Sequence, residues 1–415
     1  MDDLSKKTIC FVDNGLFVSF ARKVAPAFAK AYYYRPFQNA FVRTVDISVG
    51  VGLPELEVVL QPLAIADDVN LWCFLDLYNS GLQLFLEKHG AKVWGARNGE
   101  ELELERWSFK KHLKRIGLPV QPMEHLIGLD ELVKFLKTSE NKYVKTSFVR
   151  GDFETFHHVN WTLSEPRVDE LRHVIGPTSS KYEFIVEDAI DDSVEVGFDG
   201  FSVDGKFPNV SMTAYEIKDV GMIGAAKPLG QPLKSVNTHL ADTLAKYQYR
   251  GFLSTEIRYG KDRKAYLVDP CCRLGAPSNE LLQELFTDWP QTLWDGSIGV
   301  VNNQKVIAKY GVLTTICSEW AVNNWQSVHF PKVLDQWVKL RFHARYNDKD
   351  YVVPQTTGVP EIGCVVGVGN TVAEAIKIVK ERAKQIQGYG IEVKTDSLDK
   401  ALKVIEEGQK LGIEF

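Results

Sequence analysis

The apolar and polar positions of "KTICFVDNGLFVSFARKVAPAF" start as a β-branched strand, turn at Asp13-Asn14-Gly15 and continue at helical spacing, which is how an α/β unit opens. "VNLWCFLDLYNSGLQLFLEKHGAKVWG" repeats the alternation of strand, turn, helix, glycine stop and short strand. Together they predict a parallel sheet over residues 1 to about 100. The charged stretch "NGEELELERWSFKKHLKRIGLP" predicts one helix, stopped by Gly117 and Pro119, that leads into a second region.

From about 118 to 295 short strands dominate: "KYVKTSF", "YEFIVED", "VEVGFDGFSVDGKF", "YRGFLSTEIRYG" and "KAYLVDP", with "SVNTHLADTLAKY" as an intervening helix. The Asp-Gly of "SVDGKF" and the glycine turn of "RYGKDRKAY" predict antiparallel neighbours, hence an α+β body. Near the end, Thr371 and Glu374 form a capping-box pattern before Val372, Ala375, Ile376, Val379, Ala383 and Ile386 at helical spacing. A tail helix from Ser397, with Leu398, Ala401, Leu402 and Ile405 on one face, reads as structural. The expected division is 1–105, an N-terminal α/β domain; 106–300, the central body; and 301–415, a C-terminal domain.

Composition narrows the class. Hydrophobic residues at 45% and charged residues at 25% suit a soluble globular protein. A net charge of -5 offers no general attraction for polyphosphate, so nucleic acid is not indicated as a partner. No apolar run reaches the ~18 residues of a membrane span, and the acidic start "MDDLSKK" is unlike a secretory signal; the expectation is a cytoplasmic protein. The six cysteines contain no C-x-x-C pair, which argues against zinc or redox centres. Cys271 and Cys272 are adjacent, so on a strand their side chains point to opposite faces.

Four clusters could carry chemistry. Lys145 ends a strand before a loop with Arg150 and Gly151, where a lysine can hold a phosphate; the bland alternative is a solvated strand end. An apolar strand ends in Glu187 and Asp188, and Glu195 opens the next. Such a hinge suits a purine edge and ribose hydroxyls, or is simply a polar hairpin. Glu256 and Asp269, on neighbouring strands, can face one hard cation such as Mg²⁺, or pair with Arg258 and Lys264. Arg106 alone is a helix charge.

Taken in order, these clusters resemble the ATP-grasp superfamily, most closely phosphoribosylamine–glycine ligase. "DPCCRLGAPS" lies along that family's metal-binding strand, "VWGARNGEELELERWSFKKHLKRIGLPV" along its segment entering the central body, and "CVVGVGNTVAEAIKIV" along its C-terminal domain. The resemblance implies an ATP-grasp fold: an N-terminal α/β domain, a two-lobed nucleotide-binding body and a small C-terminal domain. It implies ATP and Mg²⁺ as cofactors, and carboxylate–amine ligation through an acylphosphate with small-molecule carboxylate and amine substrates. Arg106 and Lys145 would hold phosphate, Glu187 and Asp188 the adenine, and Glu195 the ribose. Glu256 and Asp269 would hold metal, and Arg273 would act on the transferring phosphate or the substrate carboxylate. The chain departs from the family at Cys271, which replaces a metal-binding asparagine, and at Ala276 and Ser278, which replace acids. "VDNGLFVSFARK" replaces the glycine-rich opening that grips phosphoribosylamine, which argues against that substrate. Two alternatives stay open: the same chemistry on a nucleotide or modified base in nucleic acid, and a nucleotide-binding protein without turnover.

Overall fold

The structure is a computed structural model that describes residues 2–35, 48–146, 155–190, 193–217, 220–354, 359–395, 398 and 400–415. The Arg150–Gly151 loop and Ser397 fall outside this set.

The first five strands, β1 (Thr8–Val12), β2 (Lys30–Tyr34), β3 (Glu57–Val59), β4 (Leu71–Phe74) and β5 (Lys92–Trp94), form the expected parallel sheet in the order β3-β2-β1-β4-β5. Their apolar runs are buried on both faces, as parallel strands between helices must be. Strand order reverses between β1 and β4, where ligands of open α/β sheets sit beyond the carboxyl ends.

A four-stranded antiparallel lobe follows, built from β6 (Met123–Ile127), β7 (Lys142–Thr146), β8 (Thr155–His158) and β9 (Glu183–Asp188) in the order β6-β9-β7-β8. Helices Leu129–Leu136 and Trp161–Ile175 cover one side through Leu132, Leu136, Val168 and their neighbours. The next strands are β10 (Ser193–Val203), β11 (Ser211–Ile217), β12 (Gly221–Lys227), β13 (Arg250–Gly260), β14 (Ala265–Cys271), β15 (Tyr310–Cys317) and β16 (Gln326–Val328). Then come β17 (Val338–Leu340), β18 (His343–Tyr346), β19 (Lys349–Val352), β20 (Glu361–Gly369) and β21 (Glu392–Val393). One nine-stranded sheet runs β14-β13-β10-β11-β12-β15-β20-β17 with β21 beside β15, and β16, β19 and β18 form a small sheet. The large sheet therefore crosses residue 300 without a break, because β12 pairs with β15.

The predicted turns appear where expected. Asp204 and Gly205 both take positive φ, and β10 returns antiparallel as β11; β13 and β14 pair antiparallel across residues 261–264. Thr371 caps its helix by accepting from Glu374 N at 3.1 Å, while Glu374 Oε2 accepts from Asn370 N at 2.9 Å. One expectation is corrected. The stretch 97–115 is not a single helix: Glu105 leaves helical geometry at φ -97°, ψ 66°, splitting Glu101–Leu104 from Arg106–Arg115. Glu103 on the short segment accepts from Cys272 N at 2.6 Å, so a tertiary tether outweighs helical continuity.

At the carboxyl end of β1, Asp13 is fully buried and its Oδ2 accepts from Tyr33 Oη at 2.5 Å and Phe17 N at 2.9 Å. Burial first, then the neighbouring Asp76 carboxylate, push Asp13 up to about 7. An acid whose folded pKa lies above its unfolded value loses stability as pH rises through the window between them, here from about 4 to about 7. The Asp13→Asn variant should therefore gain stability relative to wild type on going from pH 5 to pH 8, by up to a few kcal/mol. Urea denaturation at the two pH values checks this; an equal difference at both excludes a raised Asp13.

Candidate active site

Arg106, Lys145, Glu187, Asp188, Glu195, Glu256, Asp269 and Arg273 all line the cleft between the four-stranded lobe and the large sheet. β7 carries Lys145 to its end, where Nζ donates to Asp269 Oδ2 at 2.9 Å and to Val268 O at 3.0 Å, and lies 3.5 Å from Glu187 Oε2. Glu187, on β9, is bridged on its other oxygen by Lys110 Nζ at 2.8 Å, and Lys110 also donates to Leu267 O at 3.1 Å. β14 is the edge of the large sheet, so carbonyls left unpaired by β13 accept from these two lysines. Arg106 donates to Thr146 O and stands 3.9 Å from Asp269 Oδ1. Lys110, Lys145 and Glu187 are each at most 4% exposed. Burial alone would lower Lys145, but Asp269 and Glu187 outweigh it and hold the ammonium above its usual range. Lys110, where burial prevails over Glu187, is lowered.

The second half of the site is a row of carboxylates. Glu256 on β13 sits directly opposite Asp269 on β14, beside an irregularity in the pairing at Glu256/Ile257, and opposite Gly197 on β10. Burial, then a hydrogen bond with Glu195 and the charges of Asp269 and Glu216, push Glu256 well above the usual carboxylate range. Asp269 moves the other way: burial would raise it, but Lys145 and Arg106 together hold it below its usual value. Glu195 is also ion-paired with Arg258, and Asp188 with Lys142 at 2.5 Å.

Two cavities meet at these acids. One of about 1100 Å³ is lined by Lys145, Glu187, Asp188, Glu195, Glu256 and Asp269, with Ala189 and Ile190 of the segment leaving β9. Tyr143 and His157, stacked at 4.6 Å between ring centroids, add a flat wall suited to a base. The second, about 730 Å³, shares Glu195, Glu216, Glu256 and Asp269 and extends to Asp199, Ser254, Cys271, Arg273 and Ser278. Arg273 is fixed there by Tyr78 Oη at 3.0 Å and by Asp76 and Glu103, both at 3.3 Å. Cys271 lines this cavity while Cys272 is buried in the core, as opposite strand faces require.

Lys110 and Tyr143 were not singled out from the sequence. Lys110 lies one helical turn beyond Arg106, so i to i+4 spacing was an available signal. The tail helix Lys400–Lys410, expected to be structural, contributes Val404, Glu407 and Lys410 to the larger cavity. Gly408 permits this approach, since a Cβ there would stand 2.2 Å from Tyr215 Oη. Leu402, expected on the packed face, is 39% exposed.

The donor set fits a hard cation held jointly with a ligand. Glu256 and Asp269 face each other with Glu195 and Glu216 adding repulsion that a cation would relieve. Among the described residues no group of three histidine, cysteine or acidic side chains forms a self-sufficient metal site. A metal here depends on additional oxygens, such as those of phosphates.

An antiparallel lobe over a large sheet, with lysines and carboxylates facing across the cleft, is the ATP-grasp fold. The chain is similar to phosphoribosylamine–glycine ligase from Thermotoga maritima, with a TM-score of 0.68 and 14% identity over 94% of this chain and 99% of that one. It is similar to the biotin carboxylase domain of 2-oxoglutarate carboxylase from Hydrogenobacter thermophilus, solved with MgADP, ADP and bicarbonate, with a TM-score of 0.69 and 12% identity over 99% of each chain. N5-carboxyaminoimidazole ribonucleotide synthetase from Thermotoga maritima follows with a TM-score of 0.60 and 12% identity over 92% of this chain and 99% of that one. At these identities the likeness is one of fold. No family model matches the sequence, and no curated protein matches it. Among the described residues no helix is long and apolar enough to cross a membrane.

Breaking the buried lysine–carboxylate network should cost stability. Lys110→Met leaves Glu187 with one cation and should destabilise the protein by about 3 kcal/mol, as removal of one partner of a buried pair does. Adding Glu187→Gln should recover part of that loss, and a double-mutant cycle in urea measures the coupling. Additive effects would show that the two side chains do not share a charge.

Proposed function

We propose that the protein is an ATP- and Mg²⁺-dependent ligase that joins a carboxylate, that of an amino acid, to an amine-bearing acceptor through an acylphosphate. The observation that carries this is the facing arrangement of Lys145 and Arg106 against Asp269 and Glu256, at the meeting point of a nucleotide-sized cavity and a second cavity. In this reading the segment after Glu187 and Asp188 meets the adenine edge, Glu195 accepts from a ribose hydroxyl, and Lys145 and Arg106 receive phosphate oxygens. Glu256 and Asp269 would hold Mg²⁺, which supplies charge neutralisation at the phosphates.

A substrate carboxylate oxygen attacks the terminal phosphorus and ADP leaves. The neutral amine nitrogen then attacks the acyl carbon, the C–O bond to phosphate breaks with the electron pair leaving on phosphate, and the proton lost from nitrogen passes to that phosphate. The protein's part is positioning and charge compensation rather than covalent chemistry. Arg273, held from behind by Asp76 and Glu103, presents a fixed guanidinium to the acyl group or its phosphate. The small-molecule substrates belong to this proposal, as does a division at 105 and 300 in which one large sheet spans the second boundary.

Glu256→Gln and Asp269→Asn should each cut Mg²⁺-dependent ADP release, assayed across a panel of carboxylates and amines, by at least ~100-fold, about 2.7 kcal/mol of barrier. Their effects on the apo protein should differ. Glu256→Gln relieves carboxylate repulsion and should leave the melting temperature unchanged or raised, whereas Asp269→Asn strands Lys145 and Arg106 and should lower it. Normal turnover in both variants, or no turnover by wild type with any pair, would remove the ligase assignment.

A further inference from the structure

The place where an acceptor phosphate would be gripped, the turn after β1, is already filled. Leu16 N donates to Asn14 Oδ1 at 3.1 Å and Phe17 N to Asp13 Oδ2 at 2.9 Å, so the amides that could cradle an anion are occupied by the chain's own side chains. Phe342 N donates to Gly15 O at 2.7 Å, and the Phe342 ring lies 2.8 Å from where a Cβ on Gly15 would stand. Among the described residues the charged groups beyond these strands are the carboxylates of Asp13 and Asp76, the buried Arg35, whose Nε donates to Val49 O at 3.2 Å, and Arg273, the cation that Asp76 holds. Leu16 N and Phe17 N are therefore not available to an anion.

The open space lies instead over Asp199. On β10, Glu195, Gly197 and Asp199 share one face, as alternate strand residues must. Gly197 pairs with Glu256 and Asp199 with Ser254, which puts Asp199 two residues, about 6.7 Å, past the Glu256–Asp269 row. Glu195 lines both cavities, whereas Asp199 lines only the smaller one, on the side away from the proposed nucleotide. Asp199 is 5% exposed, its Oδ1 accepts from Ser254 Oγ at 2.5 Å, and Ser278 is its other hydrogen-bond partner. Among the described residues no lysine, arginine or histidine offsets its charge, and burial raises its carboxyl above the usual range despite the two hydroxyls. Gly275 keeps the approach clear, since a Cβ there would come within 2.4 Å of Ser278 Oγ and 3.5 Å of Asp199 Oδ1. A buried carboxylate held by hydroxyls and facing a cavity of about 730 Å³ is completed by a ligand cation.

We infer that Asp199 docks the acceptor, and that the acceptor is an unphosphorylated aliphatic amine that is received as an ammonium by Asp199, Ser254 and Ser278 and passes a proton to the Asp199 carboxylate before its nitrogen attacks. This rests on the ligase reading and specifies its acceptor. Calorimetric titration of the full chain, with and without MgADP, tests it with 1,3-diaminopropane and ribose 5-phosphate as probes. The diamine should bind wild type and bind Asp199→Asn at least ~10-fold more weakly, while ribose 5-phosphate gives no heat. A second variant, Ala276→Lys, places a competing ammonium from an exposed position on the same cavity and should abolish diamine binding without touching the Asp199 hydrogen bonds. Binding of ribose 5-phosphate, absence of diamine binding to wild type, or undiminished diamine binding in a folded variant overturns the inference. Failure of wild type to bind MgADP counts against the ligase reading instead, and the nucleotide-free titrations still decide the role of Asp199.

Discussion

The buried charges between the lobe and the large sheet are the constraint on which the rest of the cleft depends. Glu187 is buried between Lys110 and Lys145, and the charges of Asp269 and Glu187 hold the buried Lys145 ammonium above its usual range. The same lysines donate to Leu267 O and Val268 O on the outer edge of β14. One small network therefore caps a sheet edge, ties the lobe to it and leaves Asp269 facing the cleft as an anion. The two cavities take their position from where these groups meet.

The charge balance differs along the cleft. Around Lys145 and Asp269 opposite charges are matched, and both groups are held in their ionised forms. At Glu256 carboxylates crowd without a matching base, which favours a bound cation; at Asp199 a single carboxylate is held by hydroxyls alone. A compensated zone, a cation-seeking row and an isolated carboxylate follow one another along the face of β10, β13 and β14. That order matches phosphate, metal and amine in the proposed reaction.

The N-terminal sheet keeps the parallel order and the switch point of an open α/β unit, and among the described residues the turn after β1 is occupied by the chain's own groups. Asp13 uses the amide of Phe17, and Phe342 packs on Gly15. Asp76 reaches past the sheet to Arg273, so the domain's contribution to the site is the orientation of a cation on the loop after β14.

Local pattern was sufficient for much of this. Alternating strands and helices before residue 100, the Asp204-Gly205 turn, the Thr371 cap and the β13–β14 hairpin follow from propensity and turn chemistry, which act over a few residues. The identities of Lys145, Glu187, Glu256 and Asp269 were legible because strand ends and hairpin neighbours place them predictably. Only the tertiary structure decided what they pair with: Asp269 is held by Lys145 from the four-stranded lobe and by Arg106 from the helix before it, while Glu256, its cross-strand neighbour, faces other acids. It also decided the break at Glu105, imposed by Glu103 reaching Cys272, and the entry of the tail helix into the cleft, made possible by contact of Gly408 with Tyr215. Such contacts join residues far apart in the chain, and their energies depend on burial and facing charge that hydrophobic periodicity does not encode.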